Sequence, residues 1–134
     1  MWGMVFVVLS ERIPNIARGL VVLDWEAVGL GSGPQDLSQY LISHMAPATR
    51  RTCEDRLVRE YYRELTAGGV DAEDYPFTQC WADYVAGGSE RWVWLMALLS
   101  GMCPDALNQY FQDQVAAFLH DHVITPTSIG MPRV

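Results

Sequence analysis

Apolar positions along this chain first run together and then settle into a helical period, and the change marks where strands give way to helices. Met4–Leu9 (Met-Val-Phe-Val-Val-Leu) is β-branched and aromatic and reads as a strand. Ser10–Gly19 contains Pro14, Asn15 and Gly19 and reads as a loop. Leu20–Asp24 is almost continuously apolar, the pattern of a strand covered on both faces. Two strands around one loop predict a β-hairpin, with a longer connection than a tight turn needs. Gly29, Gly31, Gly33 and Pro34 then form a bend able to use backbone angles closed to other residues. Asp36 follows at an expected N-cap or first helical turn, with Leu37, Tyr40, Leu41 and His44 at helical spacing before Pro47.

The remaining pattern is helical. Ala48–Ala67 is amphipathic, with Cys53, Leu57, Val58, Tyr61 and Leu65 on one stripe and Gly68-Gly69 ending it. An acidic turn, Asp71–Asp74, precedes Pro76, which opens a helix over Phe77–Ser100. Gly87-Gly88 interrupts that helix and predicts a kink or a division there. The near-continuous apolar run Trp92–Leu99 predicts burial. Pro104 opens a last helix, Asp105–His122, with Leu107, Phe111, Val115, Phe118 and Leu119 on one face. A loose tail is expected from Thr125. The order predicts an α+β chain dominated by helix: one domain over residues 1–124, a β-hairpin followed by a helical subdomain, and a tail over 125–134.

Composition narrows the function classes. The chain has 134 residues, 50% hydrophobic and 19% charged, enough to build one core. A net charge of −7 argues against a nucleic-acid backbone or an anionic membrane as partner and tolerates a cationic substrate. All nine basic residues are arginine. Without lysine the chain cannot itself supply the ammonium that kinases and P-loop enzymes place on ATP phosphates, nor a Schiff base. Cys53, Cys80 and Cys103 form no CxxC pair and read as buried free thiols of a reducing compartment, so a cytoplasmic location is expected. Neither a signal peptide nor a membrane span is indicated.

Candidate chemistry gathers at Asp24. A lone carboxylate at a strand end, followed by an aromatic residue and a flexible bend, suits a hard-oxygen ligand of magnesium in phosphoryl transfer. A strand-terminal Asp is also a common turn former. Gly29–Gly33 (Gly-Leu-Gly-Ser-Gly) lacks the third glycine of a dinucleotide fingerprint and reads as a structural bend. His120 and His122 stand at i, i+2 and so on different faces of a helix end. Trp81, Asp83 and Tyr84 could form an aromatic cage with an acidic member for an amine such as choline. Large aromatics at helical spacing are usually core, and that is the stronger of the two readings.

Over Val21–Leu41 (VVLDWEAVGLGSGPQDLSQYL) the chain closely resembles the aminoglycoside phosphotransferase and choline kinase-like superfamily, particularly its ecdysteroid-kinase-like members. Shared features are an Asp-Trp/Phe pair on a strand, a Gly-x-Gly bend at Gly31 and Gly33, and Asp36-Leu37 entering a helix. The resemblance implies a protein-kinase-like C-terminal lobe, ATP and Mg2+ as cofactors, and transfer of a phosphoryl group to a hydroxyl of a small-molecule acceptor. It implies that Asp24 binds the metal, that Trp25 packs beside it, and that Asp36 supports the catalytic loop through backbone hydrogen bonds. It also puts Trp81, Asp83 and Tyr84 in an acceptor pocket. The family's His-Gly-Asp catalytic segment and its following Asn lie upstream of this strand, and Met1-Trp2-Gly3 resembles the residues just past them. No catalytic residue is therefore expected in this chain, and Mg2+ and ATP are not expected to bind it tightly alone. A non-catalytic remnant or helical interaction module is the alternative. Exposed apolar surface around Met1–Leu9 and the second strand is expected to promote self-association.

Overall fold

In a computed structural model of the chain, the backbone is described for Phe6–Leu9 and Leu20–Leu23, and residues 32–125 are described throughout. The chain separates into two compact units, Met1–Gly31 and Ser32–Val134. In the first, β1 (Phe6–Leu9) pairs antiparallel with β2 (Leu20–Leu23), Phe6 opposite Leu23 and Leu9 opposite Leu20. The expected loop between them, Asp24 and its glycine bend as far as Gly31, and residues 126–134 of the expected tail lie outside the described residues.

The second unit is helical: α1 (Pro34–His44), α2 (Pro47–Ala67), α3 (Phe77–Leu99) and α4 (Asp105–Asp121). Prolines set every start. Pro34 and Pro47 occupy the first turns of α1 and α2, where an amide would have no intrahelical acceptor, and Pro76 and Pro104 stand at the N-caps of α3 and α4. Asp36 lies in the first turn of α1, while Gly33 is its N-cap. Gly33 takes ordinary right-handed helical angles, so its backbone freedom is not what the position needs. The Tyr61 hydroxyl sits where a Cβ at Gly33 would go, and glycine serves close approach instead.

The ends of α2 and α4 repeat one device with different residues. Gly69 has φ +107°, its amide bonds the Thr66 carbonyl, and the Val70 amide bonds the Leu65 carbonyl, so the last carbonyls of α2 are satisfied. At the end of α4 the equivalent bonds run from Val123 to His120 and from Ile124 to Leu119. Here the left-handed residue is Val123, at φ 55°, where a β-branched side chain is strained.

The core comprises Leu41 and Ile42 of α1, Val58 of α2, Cys80, Tyr84, Trp92 and Leu95 of α3, and Val115 and Phe118 of α4. Gly87-Gly88 does not divide α3, which runs unbroken over Phe77–Leu99, and the pair is where α1 packs against it. A Cβ on Gly87 would come within 2.8 Å of the Gln35 Cβ. One on Gly88 would meet Ile42 Cδ1 and Ser38 Oγ at 3.0 Å and Phe118 Cζ at 3.1 Å. The apolar run Trp92–Leu99 is also only half interior. Trp92 and Leu95 are buried, but Val93, Trp94 and Leu98 are exposed, because an eight-residue run turns fully around a helix and α1 and α4 cover one side. Leu107, expected on the inner face of α4, is exposed as well. Of the three free cysteines, only Cys80 is fully buried. Among the described residues no helix is long and apolar enough to cross a membrane.

Two substitutions test these contacts. Gly88→Val should lower stability by about 1–3 kcal/mol through overpacking of the α1–α3 contact, read from urea unfolding midpoints. Val123→Gly should raise it by about 1 kcal/mol by relieving the left-handed strain, read in the same way.

Candidate functional site

The helical unit concentrates its buried polarity where α2, α3 and α4 converge. Arg50, in the first turns of α2, is 1% exposed. Its Nη1 donates to Glu54 Oε2 at 2.6 Å and its Nη2 donates to the Asp121 carboxylate at the end of α4. Arg51 Nε donates to the same Asp121 oxygen at 2.8 Å. Glu54 Oε2 also accepts from the Tyr84 hydroxyl at 3.1 Å and lies 3.4 Å from His122 Nε2. The Phe118 ring closes the guanidinium's flat side, 5.1 Å from ring centre to Cζ. The donors and acceptors come from α2, from α3 and from the end of α4, so the network is a tertiary joint as well as a charge pair.

Electrostatics follow from this wiring. Burial would raise the Glu54 carboxyl, but hydrogen bonds from His122 and Arg50 outweigh it and hold the group below its usual range. The hydrogen bond from Arg51, with Arg50 adding to it against some desolvation, holds Asp121 down to about 2. Tyr84 moves up, through burial first and the Glu54 charge second, and stays a neutral donor. The ensemble is a satisfied ionic cluster.

The sequence-predicted site residues are distributed differently. Asp24 lies outside the described residues. Asp36 is on the surface at the start of α1, and partial burial raises its carboxyl while the Arg91 charge opposes that rise. Trp81 and Tyr84 are brought together, ring centroids 5.5 Å apart, with His122 5.9 Å from Trp81 and Phe77 6.3 Å away. Tyr84 is wholly buried and its hydroxyl is committed to Glu54. Asp83 is directed elsewhere: its carboxylate accepts from the Tyr75 hydroxyl and from Gln79 Nε2, both at 2.8 Å. The helical step accounts for this, since positions 81 and 84 share a face that 83 does not. Among the described residues no group of three His, Cys, Asp or Glu is placed to hold a metal ion.

Arg50 and Glu54 were not singled out by the sequence. The only signal was an i, i+4 pair, and α2 carries others, Asp55–Arg59 and Arg56–Glu60, that are solvent-exposed. His122 is turned into the cluster while His120 faces solvent, consistent with their i, i+2 spacing. No family model, curated protein or solved structure matches this chain.

Replacing Arg50 by Met should cost about 3–5 kcal/mol, because Glu54 and Asp121 lose the cation that compensates them. Folding lowers Asp121 from its ordinary 3.8 to about 2, so the folded state holds fewer protons in that interval. Its contribution is complete above about pH 4 and is lost as pH falls toward 2, with Glu54 acting in the same sense. Urea midpoints measured between pH 7 and 2 should fall only in the acid limb, and Asp121→Asn should make that limb shallower.

Proposed function

We propose that this chain is the C-terminal, helical part of a kinase-like ATP-dependent phosphotransferase acting on a hydroxyl of a small, cationic acceptor in the cytoplasm. The observation that carries the reading is the Asp24-Trp25, Gly31-x-Gly33, Asp36-Leu37 spacing, together with the position of Asp36 in the first turn of a helix opened by Pro34. A mostly helical unit following a strand pair supports the expected lobe, and the net charge of −7 suits a cationic acceptor. In this reading Asp24 holds Mg2+, Asp36 supports the catalytic loop, and of the three expected pocket residues Trp81, half-buried, borders the acceptor, while the wholly buried Tyr84 and Asp83, bonded to Tyr75 and Gln79, do not.

The donor set within the chain fits magnesium at one position, a hard carboxylate oxygen at Asp24. Magnesium would neutralise charge on the nucleotide phosphates. The lysine-free sequence offers no ammonium to those phosphates and the chain carries no His-Gly-Asp segment. Its own residues therefore position and bind, and the chain by itself is not a complete phosphoryl-transfer centre.

A non-catalytic interaction module is the second reading, favoured by the apolar residues that α3 leaves in solvent: Val93, Trp94, Leu98 and, just beyond the helix, Met102. The expected self-association surface at Met1–Leu9 and the second strand involves side chains outside the described residues. Association through α3 would be seen as a concentration-dependent shift in gel filtration.

The coding sequence immediately upstream of Met1 separates the two readings. An in-frame His-Gly-Asp segment followed by Asn supports the phosphotransferase, and a stop codon there supports the remnant. Calorimetry of the chain with magnesium and ATP should find no binding tighter than millimolar. Micromolar binding that disappears in Asp24→Ala would contradict the expected inactivity.

A further inference from the structure

Two sulfur donors from different elements meet at the junction of α1 and α2. Met45 follows α1 as its C-cap, and Cys53 stands in the second turn of α2. The Cys53 Sγ lies 3.7 Å from the Met45 Sδ, and both residues are half-buried. The Thr49 carbonyl, 3.3 Å from the same thiol, already accepts from the Thr52 hydroxyl at 2.7 Å. A thiol is a weak donor and a thioether a weak acceptor, so their hydrogen bond is worth little. As ligands, both sulfurs are soft and suited to soft metal ions.

Their spacing suits one shared ion. Sulfur–metal bonds of about 2.3 Å meeting at a tetrahedral angle put two sulfurs roughly 3.8 Å apart, close to the 3.7 Å between Cys53 and Met45. Both backbones are also tied. The Met45 amide bonds the Leu41 carbonyl at 3.3 Å, and the Met45 carbonyl accepts from the buried Gln114 side chain at 2.7 Å. Cys53 immediately precedes Glu54, which Arg50 and Tyr84 hold in the joint of α2, α3 and α4. Donors carried on fixed elements need little reordering to close around an ion.

We propose that Met45 and Cys53 form a binding site for a soft monovalent metal cation of the copper(I) class. Thioether sulfur is a poor ligand for hard ions, so pairing Met with Cys selects against magnesium and calcium and disfavours borderline zinc. As the ion binds, the Cys53 S–H bond breaks and its proton passes to solvent. The sulfur keeps the electron pair and shares it with the metal, and no oxidation state changes. The net charge of −7 favours the approach of a cation. The site does not depend on the phosphotransferase reading, since neither Asp24 nor a nucleotide takes part.

The probe is silver(I), a redox-stable member of the same class, titrated in chloride-free buffer into the whole 134-residue chain. The chain carries Cys103→Ser, which removes the other half-buried thiol, while Cys80 is buried. With the methionine methyl groups labelled, the Met45 resonance should shift and saturate at one equivalent of silver. Cys53→Ser should abolish that shift. Met45→Leu should weaken silver binding by at least about tenfold, the scale on which metal sites lose affinity even with an outer partner. If Met45→Leu fails to fold, the methyl shift and Cys53→Ser decide the matter. A Met45 methyl that stays in place while silver binds, or an affinity unchanged in Met45→Leu, overturns the site. Zinc run in parallel tests the class of ion: an equal Met45 shift at equal concentration overturns the soft-cation assignment.

Discussion

A guanidinium removed from water costs several kcal/mol unless its donors and charge are met, and that constraint organises this helical unit around Arg50. The Arg50 side chain leaves α2 and can be satisfied only if the end of α4 comes to it with Asp121 and if Glu54 stays one turn away on its own helix. Glu54 then has acceptor capacity to spare, which Tyr84 of α3 uses, with His122 within reach. One buried cation thus specifies how three helices meet. An apolar joint of similar volume could be as stable, but it would not require Asp121 and Glu54 at those places. The strained Val123 fits the same logic: the turn that ends α4 is retained in spite of its cost, directly beside the residues that the joint needs.

The other side of the unit is built on close approach. Gly87 and Gly88 let the α1 backbone lie against α3, with Ser38 and Ile42 filling the contact. Gln114 of α4 then holds the far end of α1, donating to the carbonyls of Ile42 at 2.9 Å and Met45 at 2.7 Å. Those carbonyls have no intrahelical donor, so a buried amide side chain does the work of a C-cap. The Tyr110 hydroxyl adds a bond to the Ser43 carbonyl at 3.0 Å. The C-terminal end of α1 is therefore fixed by α4, while its N-terminal end, with Asp36, has no side-chain cap.

The two arginines buried among the described residues, Arg50 and Arg91, are served differently. Arg50 is complete without any outside group, which makes it a poor place to look for chemistry. Arg91 is not complete, and it lies near the exposed Asp36 and Trp94. The aromatic group around Trp81 and Tyr84 belongs with Arg50, because Tyr84 spends its hydroxyl on Glu54 and packs edge-on against Phe118. An acceptor near Trp81 would meet a wall that already has its polar partners.

Local signals were sufficient for the elements. Pro34, Pro47, Pro76, Pro104 and the Gly68-Gly69 pair mark helix ends in the sequence, since what they do is decided by their own φ angles and missing amide. The first-turn position of Asp36 was legible for the same reason. The tertiary structure alone decided which of several equivalent Arg–carboxylate pairs on α2 became the core joint, because burial depends on Asp121, 71 positions away from Arg50. It decided that Gly87-Gly88 is a packing seam within a continuous helix, and that Trp94 faces solvent while Trp92 does not. It also decided that Asp83 turns from Trp81 and that Arg91 is buried with its Nε–H unpartnered. Each of these rests on what a distant segment brings to a side chain, and no periodicity along the chain carries that information.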